Sequence, residues 1–171
     1  MTVTKSSVQL PPDPPVSIKT FGVPVFDNIQ KEVFTQNPDL VTLRLELIRE
    51  EVKELEEAVN KGDMVETIDA LSDILYVVYG AGASFGINLD QTFQMVHDSN
   101  MSKTCNTEEE AIATVQWYYE NRVDFDRKNP GQAPIDPQFR RNGSVYVVYN
   151  GTTGKVLKSK SYRKVDFSSM V

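Results

Sequence analysis

Glu50, Glu51 and Glu54 form one short run of carboxylates, and Glu66, Asp69 and Asp73 form another, with Lys61-Gly62-Asp63 between them. On a helix, Glu51 and Glu54 share a face with Leu47 and Ala58. Glu66, Asp69, Asp73 and Tyr76 share another, at steps of three, four and three. If the two helices fold back on each other with these stripes inward, Glu51, Glu54, Asp69 and Asp73 enter one pocket. Such a group repels itself unless cations bind or some members take protons. Hard divalent ions with oxygen ligands suit it, Mg²⁺ first and Mn²⁺ as a substitute. The chemistry such a site favours is hydrolysis of a phosphate ester or anhydride. A metal clamps phosphate oxygens while a spare carboxylate, with Glu50 at the edge of the site, positions or deprotonates water.

Two helical patterns must position these groups. The first runs roughly from Pro38 to Asn60, with Val41, Leu45, Ile48, Val52, Leu55 and Val59 as an expected buried seam. Gly62 suits the residue just past its end. Asp63 suits the N-cap of the second helix, with Glu66 as a capping-box partner, and that role alone would account for Glu66. Ile68, Leu71, Ile74, Leu75 and Val78 give the second helix a broad apolar surface. Gly80-Ala81-Gly82-Ala83-Ser84 then removes side-chain bulk and allows close helix approach. Upstream, Phe26, Ile29, Val33 and Phe34 mark a short helix ending before Asn37-Pro38.

The chain has 171 residues and a net charge of −6, enough for one domain with a real core. Charge is uneven: from Arg140 onward, seven Lys/Arg stand against Asp166 alone. A basic flap over an anionic ligand, or a solvated end, fits this better than a nucleic-acid surface, and no nucleic-acid partner is expected. Cys105 is the sole cysteine, so no internal disulfide is possible and a reducing compartment is expected. No apolar run reaches bilayer length, and the start lacks a signal pattern. A soluble, cytoplasmic protein with no membrane partner is the expectation.

In order, residues 1–19 read as a flexible arm and 20–104 as a helical core. Residues 105–142 read as an insertion with one helix and a loop, and 143–171 as a basic hairpin tail. Asn88 starts a helix that runs into His97-Asp98-Ser99-Asn100-Met101-Ser102-Lys103, a polar, phosphate-friendly set. Thr107 with Glu110 starts another, expected to reach about Val123. Asn129 to Asn142 reads as loop. Ser144–Tyr149, a turn at 150–154 and Lys155–Lys158 read as a hairpin. There is no Gly-rich phosphate loop, and one histidine supports no Ser/His/Asp arrangement.

These residues resemble the all-α nucleoside triphosphate pyrophosphohydrolases, the MazG-like and phosphoribosyl-ATP pyrophosphatase-like group. Glu50-Glu51-Val52-Lys53-Glu54 is similar to that family's Glu-Glu-x-x-Glu element, and Asp73-Ile74-Leu75-Tyr76 to the end of its second-helix element. The likeness continues through Tyr79-Gly80, Phe85-Gly86-Ile87 and His97 to Lys103, and resumes over Gly154 to Lys158 and Tyr162. The resemblance implies an all-α helical-bundle core, here with a small C-terminal β-hairpin. It implies cleavage between the α and β phosphates of a nucleoside triphosphate; within that reading a base-unspecific house-cleaning enzyme competes with a dUTP- or dCTP-directed one, the latter favoured. Glu51, Glu54 and Asp73 would hold Mg²⁺, Glu50 would ligate or activate water, and Asn100 and Lys103 would face the nucleotide. A homodimer or tetramer is implied as well.

One departure from the pattern is Ala70, where the family has Glu. Asp69 is the obvious substitute, and Glu66 keeps an alternative Glu-x-x-Asp reading with Asp69. The other departure is the inserted block after Lys103. Blander readings exist for most of these residues. A charge run on a helix is usually a solvated face, and His97 is more often structural at a helix end than a substrate contact. Asn100 can be a C-cap and Lys103 a surface lysine. Trp117, Tyr118 and Tyr119 suit core packing better than base stacking. Two rival classes follow. A di-iron carboxylate bundle wants Glu-x-x-His pairs, which Gln94 before His97 denies. A catalytically silent nucleotide- or protein-binding module of the same fold remains the alternative, with Ala70 its best argument.

Overall fold

The computed structural model describes residues 22–128, 131 and 134–171. All of the expected arm, 1–19, and part of the expected 129–142 loop lie outside them. The described residues form helices α1 (Val33–Gln36), α2 (Pro38–Lys61), α3 (Met64–Phe85), α4 (Leu89–Met101) and α5 (Glu108–Lys128). Strands β1 (Pro137–Asn142) and β2 (Val145–Asn150) and a 3₁₀ turn at Ser168–Met170 complete them. The fold is an all-α core with a small two-stranded antiparallel sheet. The described residues divide into two compact units, one formed by those within 1–90 together with 168–171 and the other by those within 91–167.

The first unit is built on the α2–α3 hairpin. Pro38 opens α2, where its missing N–H costs nothing. Gly62 closes it in the left-handed region at φ 70°, a conformation that disfavours a side chain. Asp63 then caps α3, its Oδ1 accepting from the amides of Val65 at 3.0 Å and Glu66 at 3.2 Å. The amide of Asp63 itself donates to the Ala58 carbonyl, so it is not open to a reciprocal bond from Glu66. The lead-in packs on the far end of α3: Phe26 N–H donates to Ala83 O and Gln30 N–H to Phe85 O. Gly86, at φ 69°, ends α3, and any Cβ there would collide with the Asn28 carbonyl. Gly82 allows the close approach expected of the small-residue segment, since a Cβ there would sit 2.6 Å from the Leu89 side chain. The expected short helix is shorter than its apolar spacing implied, beginning only at Val33.

The expected buried seam is not buried. On α2, Leu45, Val52 and Val59 are exposed, and on α3 so are Met64, Val65, Ile68, Leu71 and Leu75. The residues sealed on α3 are small: Ala70, Gly80, Ala81, Gly82 and Ser84, with Val77 the largest. Two helices can cover only the stripes they turn toward each other, so the wider apolar surface stays open within the chain.

In the second unit, β1 pairs with β2 around Gly143-Ser144, in a register running from Pro137 opposite Asn150 to Asn142 opposite Val145. The expected hairpin began at 144 and so missed its first strand. Pro137-Gln138-Phe139-Arg140-Arg141 looked like loop because Pro and two arginines weaken the strand pattern, yet Pro137 is buried, Phe139 packs against the core, and Gln138, Arg140 and Arg141 face solvent. The expected return after 150–154 exists as a short bridge, Tyr149 opposite Val156. One core joins the expected insertion to the expected tail: Cys105, Ala111, Tyr118, Ile135, Val148 and Leu157. α5 extends past Val123 to Lys128, because Tyr118 and Phe125 stack edge-on and continue its packed face. Cys105 is fully buried and its thiol is pushed up by that burial, so it is not a reactive group.

Candidate active site

In the first unit, α2 and α3 bring Glu51 and Asp73 into the same electrostatic neighbourhood. Glu51 is half-buried, while Glu50, Glu54, Glu66, Asp69 and Asp73 are exposed. Partial burial holds the Glu51 carboxyl above the usual carboxylate range, and the negative charges of Asp73, Glu54, Glu50 and Asp69 push it further the same way. Two of those neighbours come from α3, so the hairpin turns the two carboxylate stripes toward one another. Glu66 is not among the groups that act on Glu51. Ala70 is buried at 3% exposure, where a carboxylate would be costly. Of the two residues that stand in for the family glutamate, Asp69 is the neighbour of Glu51.

The set does not form a closed cage. Among the described residues, no three Asp, Glu, His or Cys side chains converge tightly enough to hold a metal ion. Exposed carboxylates on two helices have no packing to hold their rotamers together, and their mutual repulsion spreads them. Their chemistry still fits a hard cation: all donors are oxygens, and a group whose neighbours resist its ionisation gains most from added positive charge.

Sequence spacing missed one residue on this helix. Arg44 precedes Leu47, Glu51 and Glu54 on the same stripe, yet it is only 6% exposed. Its Nε has no hydrogen-bond partner, and burial lowers its pKa. The signal was present in the sequence: Arg44 extends the three-and-four spacing of the acidic stripe by one step.

Asn100, Lys103 and His97 lie in the second unit. Lys103 Nζ donates to Asn100 Oδ1 at 2.7 Å, which pairs the two residues expected to face a nucleotide. His97 is exposed at the helix surface. The other face of the same segment is strapped to the tail. Buried Ser99 Oγ donates to Arg163 O at 2.8 Å. Ser102 Oγ accepts from Arg163 N–H at 2.9 Å, and Ser159 Oγ donates to Ser102 O at 2.8 Å. The basic tail is thus tied down through its backbone, while Lys160, Arg163 and Lys164 remain exposed. An open cavity of about 900 Å³ beside the strap is lined by Asp98, Ser99, Ser102, Thr104, Arg163 and Lys164 among others, and by neither Asn100 nor Lys103.

A helical hairpin with opposed carboxylate stripes, followed by a helix that ends at Met101 with Asn100 in its last turn and Lys103 just beyond, is the setting in which the comparisons with known proteins fall. Residues 21–100 match the family model for phosphoribosyl-ATP pyrophosphohydrolase, which falls within the MazG-like, all-α nucleoside triphosphate pyrophosphohydrolase superfamily. The chain is also similar to a protein of Acanthamoeba polyphaga mimivirus named uncharacterized protein L479, at 29% identity covering 90% of this chain and 92% of that one. The family supports a pyrophosphohydrolase-type hydrolase. Among the described residues, no single helix is long and apolar enough to cross a membrane.

Proposed function

We propose that the chain hydrolyses nucleoside triphosphates to the monophosphate and pyrophosphate, with Mg²⁺ as the working metal and Mn²⁺ as a substitute. Deoxynucleotides of the dUTP or dCTP type are the favoured substrates, and the role is pool sanitation or control in the cytoplasm. The observation that carries this reading is the Glu51 carboxyl, raised first by partial burial and then by the charges of Asp73, Glu54, Glu50 and Asp69, of which Asp73 and Asp69 come from the facing helix. Glu51, Glu54 and Asp73 would hold the metal, with Asp69 in place of the missing family glutamate and Glu66 at the margin. A bound divalent cation supplies charge neutralisation on the phosphate oxygens. Glu50 orients the attacking water and takes its proton. The hydroxyl oxygen ends on one phosphorus as the bridging bond breaks. By the resemblance alone, Asn100, Lys103 and His97 are assigned to nucleotide binding, Lys103 to the phosphates.

A second copy of the chain is the proposed cover for the open apolar face of α2 and α3, giving a homodimer or tetramer. Exposed Ile68, Leu71 and Leu75 support this, since isolated apolar residues are ordinary but a row of them along one hairpin is not. The silent binding module rests on Ala70, and metal binding without turnover would favour it.

The test is product analysis on a panel of nucleoside triphosphates with Mg²⁺. Monophosphate with pyrophosphate is expected, and Glu51→Gln and Asp73→Asn should each abolish it while folding normally. Diphosphate with orthophosphate, or near-normal rates from either variant, would overturn the assignment.

A further inference from the structure

Among the described residues of the first unit, Arg44 is the one strongly basic group that is sealed inside, and it has no anion. Its side chain is 6% exposed, its Nε is buried without a hydrogen-bond partner, and the three ion pairs among the described residues involve other groups. A guanidinium stays charged in proteins, so it cannot escape burial by losing its proton as a lysine can. Removing a charge from water without a partner costs several kcal/mol, roughly, even after relaxation. A residue kept under those terms is waiting for an anion.

Its place on α2 indicates which anion. Arg44 and Glu51 are seven residues apart, two turns, so they lie on nearly the same face and about 10 Å apart along the axis. A polyphosphate chain held at the carboxylates reaches that far. A planar, five-donor guanidinium is the side chain best matched to phosphate oxygens. With 94% of its surface already covered by its own chain, Arg44 admits the edge of a slender ligand and not the face of a second protein. We infer that Arg44 is a binding residue for the polyphosphate of the substrate, at the opposite end of the stripe from Glu54. This rests on the proposed triphosphate reading for the identity of the ligand, though not for the presence of an anion site.

The test separates the two. Binding of inorganic tripolyphosphate to the full chain is measured by calorimetry in buffer containing Mg²⁺, alongside thermal unfolding of the unliganded protein. Wild type should bind, Arg44→Met should bind at least tenfold more weakly, and Arg44→Lys should recover part of the loss. Unliganded Arg44→Met should melt no lower than wild type, because it removes a buried charge that had no partner. That pattern stands even if no triphosphate is hydrolysed, in which case only the proposed function fails. Wild type that does not bind tripolyphosphate, or Arg44→Met that binds within twofold of it, would overturn the inference. So would Arg44→Met that melts several degrees lower and dissociates into monomers, which would make Arg44 the partner of a carboxylate on a second copy.

Discussion

The Tyr118 hydroxyl donates to the carbonyl of Lys158 at 3.1 Å and accepts from the Lys158 amide at 3.2 Å, across forty residues of sequence. One buried phenol thereby satisfies both backbone groups of a tail residue that no ladder reaches. Burial raises the phenol's pKa, so it remains a neutral donor and acceptor throughout the physiological range. Tyr118→Phe keeps the ring in the core and strands two backbone groups. It should cost about 1–3 kcal/mol in urea unfolding. Amide exchange at Lys158 should accelerate first. An unchanged midpoint would show that water replaces the hydroxyl without loss.

The Glu51 carboxyl makes stability depend on pH. Its ordinary value is 4.5, and in the folded chain it is raised. The folded state therefore holds this proton more tightly than the unfolded one. The stability it contributes is complete below 4.5 and is lost as pH rises through the higher folded value. In metal-free buffer, wild type should lose melting temperature across that window relative to Glu51→Gln, which has no proton to give up. Adding Mg²⁺ at neutral pH should raise the wild type and leave the variant nearly unmoved. A difference between the two that stays flat across the window would place the repulsion elsewhere.

The turn between the carboxylate helices depends on Asp63. Asp63→Ala removes the acceptor for two otherwise orphaned amides at the start of α3, and should cost about 1 kcal/mol by denaturant unfolding. Asp63→Ser or Asp63→Asn should restore most of it. A loss that neither restores would mean that the charge at the helix start matters more than the cap.

Ile68 is 59% exposed in the middle of the open apolar face. If a second copy covers that face, sedimentation should find wild type as a dimer or larger, and Ile68→Glu should shift it to monomer with helical content retained. Wild type that sediments as a monomer at high concentration would remove the assembly proposal while leaving the site in place.

Much of the fold was legible because local chemistry wrote it. The boundary of α2 and α3 was readable from Gly62 and Asp63, since a left-handed closing residue and a carboxylate cap act over a few residues. The start of α5 was legible from Thr107 and Glu110 for the same reason: Glu110 N–H donates to Thr107 Oγ1. The two carboxylate stripes followed from helical spacing alone. Spacing places Arg44 on the acidic stripe but cannot say that it lies buried, and Arg44 went unseen for that reason.

By itself, the sequence determined the helical hairpin, the order of its elements, the opposed carboxylates and the superfamily of residues 21–100. Those depend on backbone periodicity and caps, which are properties of neighbours in the chain. Tertiary structure decided the rest. It buried Ala70 and left Asp69 beside Glu51, paired Pro137–Asn142 with Val145–Asn150, and tied Arg163 to Ser99. Each of these depends on which surfaces meet across many residues, and the same apolar or polar pattern is compatible with several such meetings until packing selects one.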